Sequence, residues 1–79
     1  MEWYHGPIRR DEAVQRLRDG TFLVRERVAH IWYEVMTPAL TITVRRRADG
    51  SGFKVLGLPT SFPSLEAAVD HLLLSGSLS

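Results

Sequence analysis

An arginine ends a short apolar run in this sequence, at a position where a core aliphatic residue is expected. Gly20 precedes the run, which covers residues 21–24, and Arg25 follows it. Such a run, bounded by a glycine and a charge, is typical of a buried strand. A buried guanidinium is unfavourable unless an anion or several hydrogen bonds compensate it. Arg25 therefore either leaves the strand for solvent or meets a compensating partner.

Two further arginines have positions that suit an anion site together with Arg25. Side chains of a strand alternate between faces, so Arg27 is predicted to face the same side as Arg25. Arg10 lies early in a predicted helix, where the helix dipole disfavours a cation, and a nearby anion would explain its position. A planar guanidinium binds two phosphate oxygens at once, which an ammonium group does not do. The chemistry that these residues suggest is therefore the binding of an anion.

Helices and strands that could position these arginines are visible in the local pattern. One helix is predicted over residues 9–18, and a second follows Ser64, a residue type that caps helix N-termini. Aromatic and β-branched content, or alternation of apolar with polar residues, predicts four strands. They cover residues 21–25, 31–36, 39–45 and 53–56, and a loop is predicted over 57–63.

Apolar residues at regular spacing predict which faces of these elements are buried. Leu40, Ile42 and Val44 are predicted to share one face of the third strand. The first helix has an apolar stripe of Ala13, Val14 and Leu17, and the second has a stripe of Leu65, Ala68, Val69, Leu72 and Leu73. The order of elements predicts an α+β fold, with a central antiparallel β-sheet flanked by two α-helices.

The composition excludes several classes of function. The 79 residues suffice for one small domain, and the net charge of +1 gives no overall attraction to nucleic acid or membranes. The chain has no cysteine, and its three histidines lack the spacing of metal ligands. No catalytic triad, carboxylate pair or metal-ligand set is visible. We therefore expect a domain without enzymatic activity and without a cofactor.

Three segments together resemble the Src homology 2 domain family. They are Trp-Tyr-His-Gly-Pro-Ile at residues 3–8, Gly-Thr-Phe-Leu-Val-Arg-Glu at residues 20–26, and the second helix with its lead-in at residues 62–72. The order and spacing are those of the family, and the resemblance covers most of the chain. It implies a single non-catalytic module that binds tyrosine-phosphorylated peptides. It also implies a monomeric, cytoplasmic adaptor module of signal transduction.

The resemblance assigns roles to residues of the phosphotyrosine pocket. Arg25 corresponds to the arginine at the floor of the pocket, and Arg10 to the one that flanks the ring and the phosphate. Arg27 stands where the family usually has a serine, so it either adds a phosphate contact or interferes. Thr41 stands where the family places a histidine. His30, in a short loop, either replaces that imidazole in part or is an exposed loop residue.

The resemblance also indicates a surface that reads the rest of the peptide. Ile42 follows Thr41 and is similar to family members that prefer apolar residues after the phosphotyrosine, although it could equally be a core residue. Leu56 and Leu58 belong to the same expected surface. The chain stops at Ser79, before the family's last loop and strand. We therefore expect that region to be reduced or absent, and peptide selectivity to be lower than usual.

Two alternatives to phosphotyrosine recognition remain open from the sequence. A degenerate member of the family would use the same scaffold for phosphate-independent protein contacts. Arg45, Arg46 and Arg47 form a basic cluster that could bind anionic lipid or nucleic acid, or could simply be a solvated strand end. If the cluster acts in addition to peptide binding, we expect it to make a weak contact with membrane lipid.

Overall fold

The computed structural model describes residues 2–17, 22–28 and 31–78. They form two helices and one five-stranded antiparallel sheet, whose strand order β1-β2-β3-β4-β5 follows the chain. The predicted α+β fold is therefore confirmed. Helix α1 spans Arg10–Arg16 and α2 spans Leu65–Leu74; the strands are β1 (Leu23–Val28), β2 (Trp32–Met36), β3 (Thr41–Arg46), β4 (Phe53–Val55) and β5 (Ser61–Phe62).

The larger core lies between the sheet and α2. Its centre is a set of strand valines packed against the apolar face of the helix: Val24, Val35, Val44 and Val55 with Ala68, Val69 and Leu72. The predicted cap of α2 is present, since the hydroxyl of Ser64 accepts a hydrogen bond from the Ala67 amide at 3.0 Å. Alternation along β1 places Val24 in this core, as predicted.

A smaller core lies on the other face of the sheet, under α1. Leu23 and Met36 pack there against Ala13 and Leu17 of the helical segment, with Ile8 at the edge. This cluster covers one end of β1 and β2. Arg25 and Glu34 follow next along these strands, on the same face as Leu23 and Met36. Arg25, around which the anion site was predicted, therefore lies on the face of the sheet that α1 covers.

The segment before α1 is bound to the outer edge of β1. Tyr4 forms a parallel bridge with Val24, and the Val24 amide donates to the Trp3 carbonyl at 2.7 Å. Gly6 accepts from the Glu26 amide at 2.9 Å and has a φ of +69°, which favours glycine at this bend. These bonds hold the backbone of Ile8 beside Arg25.

The structure corrects the sequence predictions at three points. Val14 and Leu73 were predicted to be buried, but they are 50% and 45% exposed, because each lies at the margin of its helix's contact with the sheet. Leu40 precedes β3 and is exposed, so it does not share a buried face with Ile42 and Val44. The predicted loop over 57–63 contains β5, which pairs with β4 through Phe53 and Phe62. Gly20 and Thr21, at the start of the predicted first strand, lie outside the described residues.

Candidate functional site

Arg25 is a buried residue whose guanidinium is bonded on two sides. It is 9% exposed and lies on β1, directly opposite Glu34 of β2. Its Nε donates to Oε1 of Glu34 at 2.8 Å, and Nη2 lies 2.5 Å from the same oxygen. Its Nη1 donates to the Ile8 carbonyl at 3.3 Å. Of the two alternatives that the sequence left for Arg25, the structure shows the second, a compensated buried cation.

Glu34 is the residue of this site that the sequence analysis missed. It is 7% exposed and supplies the carboxylate oxygen that Nε and Nη2 of Arg25 contact. A signal for it exists in the sequence, since Glu34 is the one charged residue within the apolar run 31–36. A lone carboxylate in a strand beside a lone buried arginine indicates a cross-strand pair once the strands are known to be antiparallel. Without the register, the two residues could not be matched.

Arg27 approaches the same carboxylate from the exposed side. Its Nη1 lies 3.9 Å from Oε2 of Glu34, whereas Nε and Nη2 of Arg25 contact Oε1. The register of β1 and β2 shifts between Glu26 and Val28, so Arg27 is an extra residue in β1. The bulge interrupts the alternation of β1, and the contact with Glu34 is what places the Arg27 guanidinium on the side of Arg25, with Glu34 between the two guanidinium groups.

Arg10 and Thr41 line a common groove, whose lining does not include Arg25, Arg27 or Glu34. The groove has a volume of about 480 Å³ and lies between α1 and the start of β3. The remaining lining is largely apolar: Val14, Leu17, Met36, Thr37, Pro38, Ala39 and Leu40. The carbonyl of Ile8, which Arg25 contacts, stands two residues before Arg10. His30, the remaining residue predicted for the phosphotyrosine pocket, lies outside the described residues.

The three residues predicted to read the peptide line a second groove on the opposite side of β3. Ile42, Leu56 and Leu58 border a volume of about 300 Å³, together with His71 and Leu72 of α2. Ile42 is half-buried and also packs against the main core. Ile42 therefore belongs both to the core and to the groove, so the two interpretations of this residue are compatible.

An open strand edge separates the two grooves. β4 pairs with β3 only from Val44 to Arg46, and the Leu56 amide adds a bond to the Thr43 carbonyl at 3.0 Å. In the part of the chain that the structure describes, Thr41 and Ile42 pair with β2 but not with β4. Consecutive strand residues face opposite sides, so Thr41 serves one groove and Ile42 the other. A peptide crossing this edge would reach both.

Glu26 is next to Arg25 in the chain but belongs to the other face of the sheet. Its Oε2 accepts a hydrogen bond from the Tyr4 hydroxyl at 3.1 Å. Burial, the hydrogen bond to Glu26 and the charge of that carboxylate raise the pKa of Tyr4 to about 12. Burial and the charge of Glu26 also raise the pKa of Tyr33. Glu26 therefore interacts with Tyr4 and Tyr33, on the face of the sheet that α2 covers.

The basic cluster at the end of β3 is divided among different contacts. The Arg45 guanidinium lies over the Trp32 ring at 5.3 Å, and Nη1 of Arg47 donates to the Ser61 hydroxyl at 2.8 Å. Arg46 faces the other side of β3, where its charge acts on Tyr33. Arg45 and Arg47 border a shallow groove with Lys54, but Asp49 lies in the same lining. All three arginines nevertheless line one groove of about 510 Å³ together with Ile31 and Asp49, so the basic cluster is a shared surface that also carries a carboxylate.

Two further features bear on the class of protein. No helix in the described ranges has the length and hydropathy needed to cross a membrane. The same residues contain no cluster of histidine and carboxylate side chains that could hold a metal ion.

Comparison with known proteins identifies the family. The family model of the SH2 domain, the Src homology 2 domain, matches residues 3–72, which is most of the 79-residue chain. Comparison with curated protein sequences gave no match. Domains of this family are phosphotyrosine-binding modules of signalling proteins and are generally non-catalytic. The matched segment contains both helices almost completely, the five described strands and the three arginines of the predicted pocket, and the chain belongs to the SH2 domain family.

Proposed function

We propose that this domain binds tyrosine-phosphorylated peptides and that Arg25 contacts the phosphate. The observation that carries the proposal is the buried position of the Arg25 guanidinium, on the strand residue that the resemblance assigned to the floor of the phosphotyrosine pocket. A phosphate monoester carries roughly −1.5 to −2 charges at neutral pH and offers several oxygens to a guanidinium. In a partly dry site such a charge-assisted, bidentate contact is strong and directional.

The surrounding residues supply the other contacts in this proposal. Arg10 and Thr41 border the groove through which the tyrosine ring would enter, and Arg27 lies at the exposed side of the same ion pair. His30, two residues after the end of β1 in the sequence, is the remaining residue that we propose for the pocket. A long phosphotyrosine side chain suits an arginine at the floor of a pocket, because a phosphoserine side chain is too short to place its phosphate there.

The proposed path of the peptide follows the open edge of β3. The phosphotyrosine would occupy the side of Arg10 and Thr41, and a following apolar residue would enter the groove of Ile42, Leu56 and Leu58. Apolar lining gives such a groove a preference for aliphatic side chains. We propose that the domain acts as a monomeric adaptor module in the cytoplasm, without catalysis of its own.

A titration with matched peptides tests this function. Fluorescently labelled tyrosine peptides with varied residues after the tyrosine would be measured with and without phosphate, at two salt concentrations. We expect detectable affinity only for the phosphorylated series, with further discrimination by apolar residues after the phosphotyrosine. Equal affinity for both series would contradict the proposal.

One observation favours a second candidate, phosphate-independent protein binding on the same scaffold. The charge of Arg25 is already compensated by Glu34, so this arginine needs no phosphate for its stability. In that case the open β3 edge and its two grooves would bind an unphosphorylated segment. The same titration distinguishes the two candidates, because this one predicts binding that phosphorylation leaves unchanged or weakens.

A further inference from the structure

Glu34 occupies the bonding edge that Arg25 would offer to a phosphate. Oε1 of Glu34 contacts both Nε and Nη2 of the guanidinium, at 2.8 and 2.5 Å. These two nitrogens form the edge with which arginine commonly grips an oxyanion. The Nη1 side is turned toward the Ile8 carbonyl at 3.3 Å. A phosphate that approaches Arg25 therefore meets a carboxylate at the edge it would use.

We infer that Glu34 is an affinity-determining residue that competes with the ligand's phosphate for Arg25. This inference rests on the proposed function. Two anions near one guanidinium repel each other, and the repulsion is strong because both residues of the pair are less than a tenth exposed. Phosphate binding is then an exchange in which the carboxylate gives up its bonds to Arg25.

Arg27 provides a second cation to which the displaced carboxylate can turn. Its Nη1 is already 3.9 Å from Oε2 of Glu34, and its side chain is largely exposed and therefore free to adjust. A rotation of the Glu34 carboxylate away from Arg25 would shorten this contact and keep the charge paired. The arrangement predicts that Arg27 aids phosphate binding through Glu34 rather than through direct contact alone.

The test compares the wild-type domain with Glu34→Gln in titrations with a phosphotyrosine peptide and with phenyl phosphate. Glutamine keeps a hydrogen-bond acceptor for Arg25 but removes the competing charge. Close charge pairs couple strongly, so we expect the variant to bind both probes more tightly, on the order of tenfold or more. Glu12→Gln is the matched control, because it removes an exposed carboxylate that pairs with Arg16 on α1, away from the Arg25–Glu34 pair. That control should bind like wild type.

A double-mutant cycle separates competition from a merely structural role. If Arg27 receives the displaced carboxylate, Arg27→Ala weakens binding in the wild-type background and has a much smaller effect in the Glu34→Gln background. Additive effects would mean that Arg27 does not act through Glu34. If Glu34→Gln does not fold, Glu34→Asp replaces it, since its shorter side chain reaches Arg25 less well and should also raise the affinity.

Each outcome is decisive for the inference. Unchanged or weaker binding by the folded Glu34 variants would overturn it, because Glu34 would then be neutral or would hold Arg25 in its binding position. If Arg25→Lys still abolished phosphopeptide binding in that case, the proposed function would stand. If neither wild type nor Glu34→Gln preferred phosphorylated peptide, both the proposed function and the inference would be wrong.

Discussion

Arg25 of β1 and Glu34 of β2 lie directly opposite each other in the sheet and form a buried ion pair. The pair lies on the α1 face, just beyond the small core of Leu23 and Met36. Both charges are removed from water, so each depends on the other for compensation. The residue that we propose to bind the phosphate is thus also half of an ion pair within the domain.

The first prediction concerns Arg25 and phosphopeptide affinity. Truncating one member of a buried charge interaction typically costs about 2–5 kcal/mol, on the order of 30-fold to several-thousand-fold in the dissociation constant. Arg25→Ala should therefore nearly abolish binding, and Arg25→Lys should weaken it severely because the forked geometry is lost. Arg46→Ala, an exposed control on β3, should cost about 1 kcal/mol or less. An Arg25→Lys domain that binds as tightly as wild type would contradict the assignment.

The second prediction concerns the stability that the ion pair contributes. Glu34→Ala leaves the Arg25 charge buried and unpaired, which should reduce the free energy of unfolding by about 3–5 kcal/mol. Replacing both residues, as Arg25→Met with Glu34→Leu, should leave stability unchanged or raise it by up to about 4 kcal/mol. Urea denaturation of the three proteins measures these differences. The double variant should fold and lose phosphopeptide binding. If it were less stable than Glu34→Ala, the unpaired charge of Arg25 would not be the cause of the stability that Glu34→Ala loses.

The third prediction separates two neighbouring leucines of α2. Leu72 is buried in the main core, so Leu72→Ala should reduce the free energy of unfolding by about 2–5 kcal/mol. Leu73 is half-exposed, and Leu73→Ala should change stability by only about 0.5 kcal/mol. Thermal denaturation of the two variants under the same conditions is the measurement. Equal losses would mean that the helix is rotated relative to the face described above.

The fourth prediction concerns alkaline pH and Tyr4. Its pKa is raised from 10.0 to about 12, so the protonated phenol is favoured by folding. That contribution to stability is complete below pH 10 and is lost as the pH rises toward about 12. Tyr4→Phe removes the titrating group while keeping the ring. Between these pH values the free energy of unfolding of wild type should fall relative to that of the variant. Denaturant unfolding of both proteins at a series of pH values is the measurement. Parallel profiles would exclude a raised pKa for Tyr4.

The fifth prediction concerns the apolar groove beside β3. Ile42→Thr should reduce the preference for aliphatic residues after the phosphotyrosine, because it removes apolar surface from the groove lining. The affinity for a peptide with small polar residues there should change little. A peptide array read with both proteins measures the difference. An unchanged preference would mean that this groove does not select the residues after the phosphotyrosine.

Much of the fold could be predicted from short-range patterns in the chain. The period-two alternation of β1 correctly assigned Val24 to one face and Leu23 with Arg25 to the other. The capping serine of α2 was correctly predicted as well, since its bond spans only three residues. These features follow from local backbone geometry and from the residue types themselves, so a single sequence is enough to predict them.

The partner of Arg25 could not be predicted in the same way. Glu34 meets Arg25 only because β1 and β2 pair in one particular register, and a shift by one residue would turn either side chain to the other face. The exposure of Val14 and Leu73 likewise depends on how far each helix covers the sheet. Register and helix placement result from packing among segments distant in the chain. For that reason the arginine could be recognised in the sequence, whereas the anion it holds was decided by the tertiary structure.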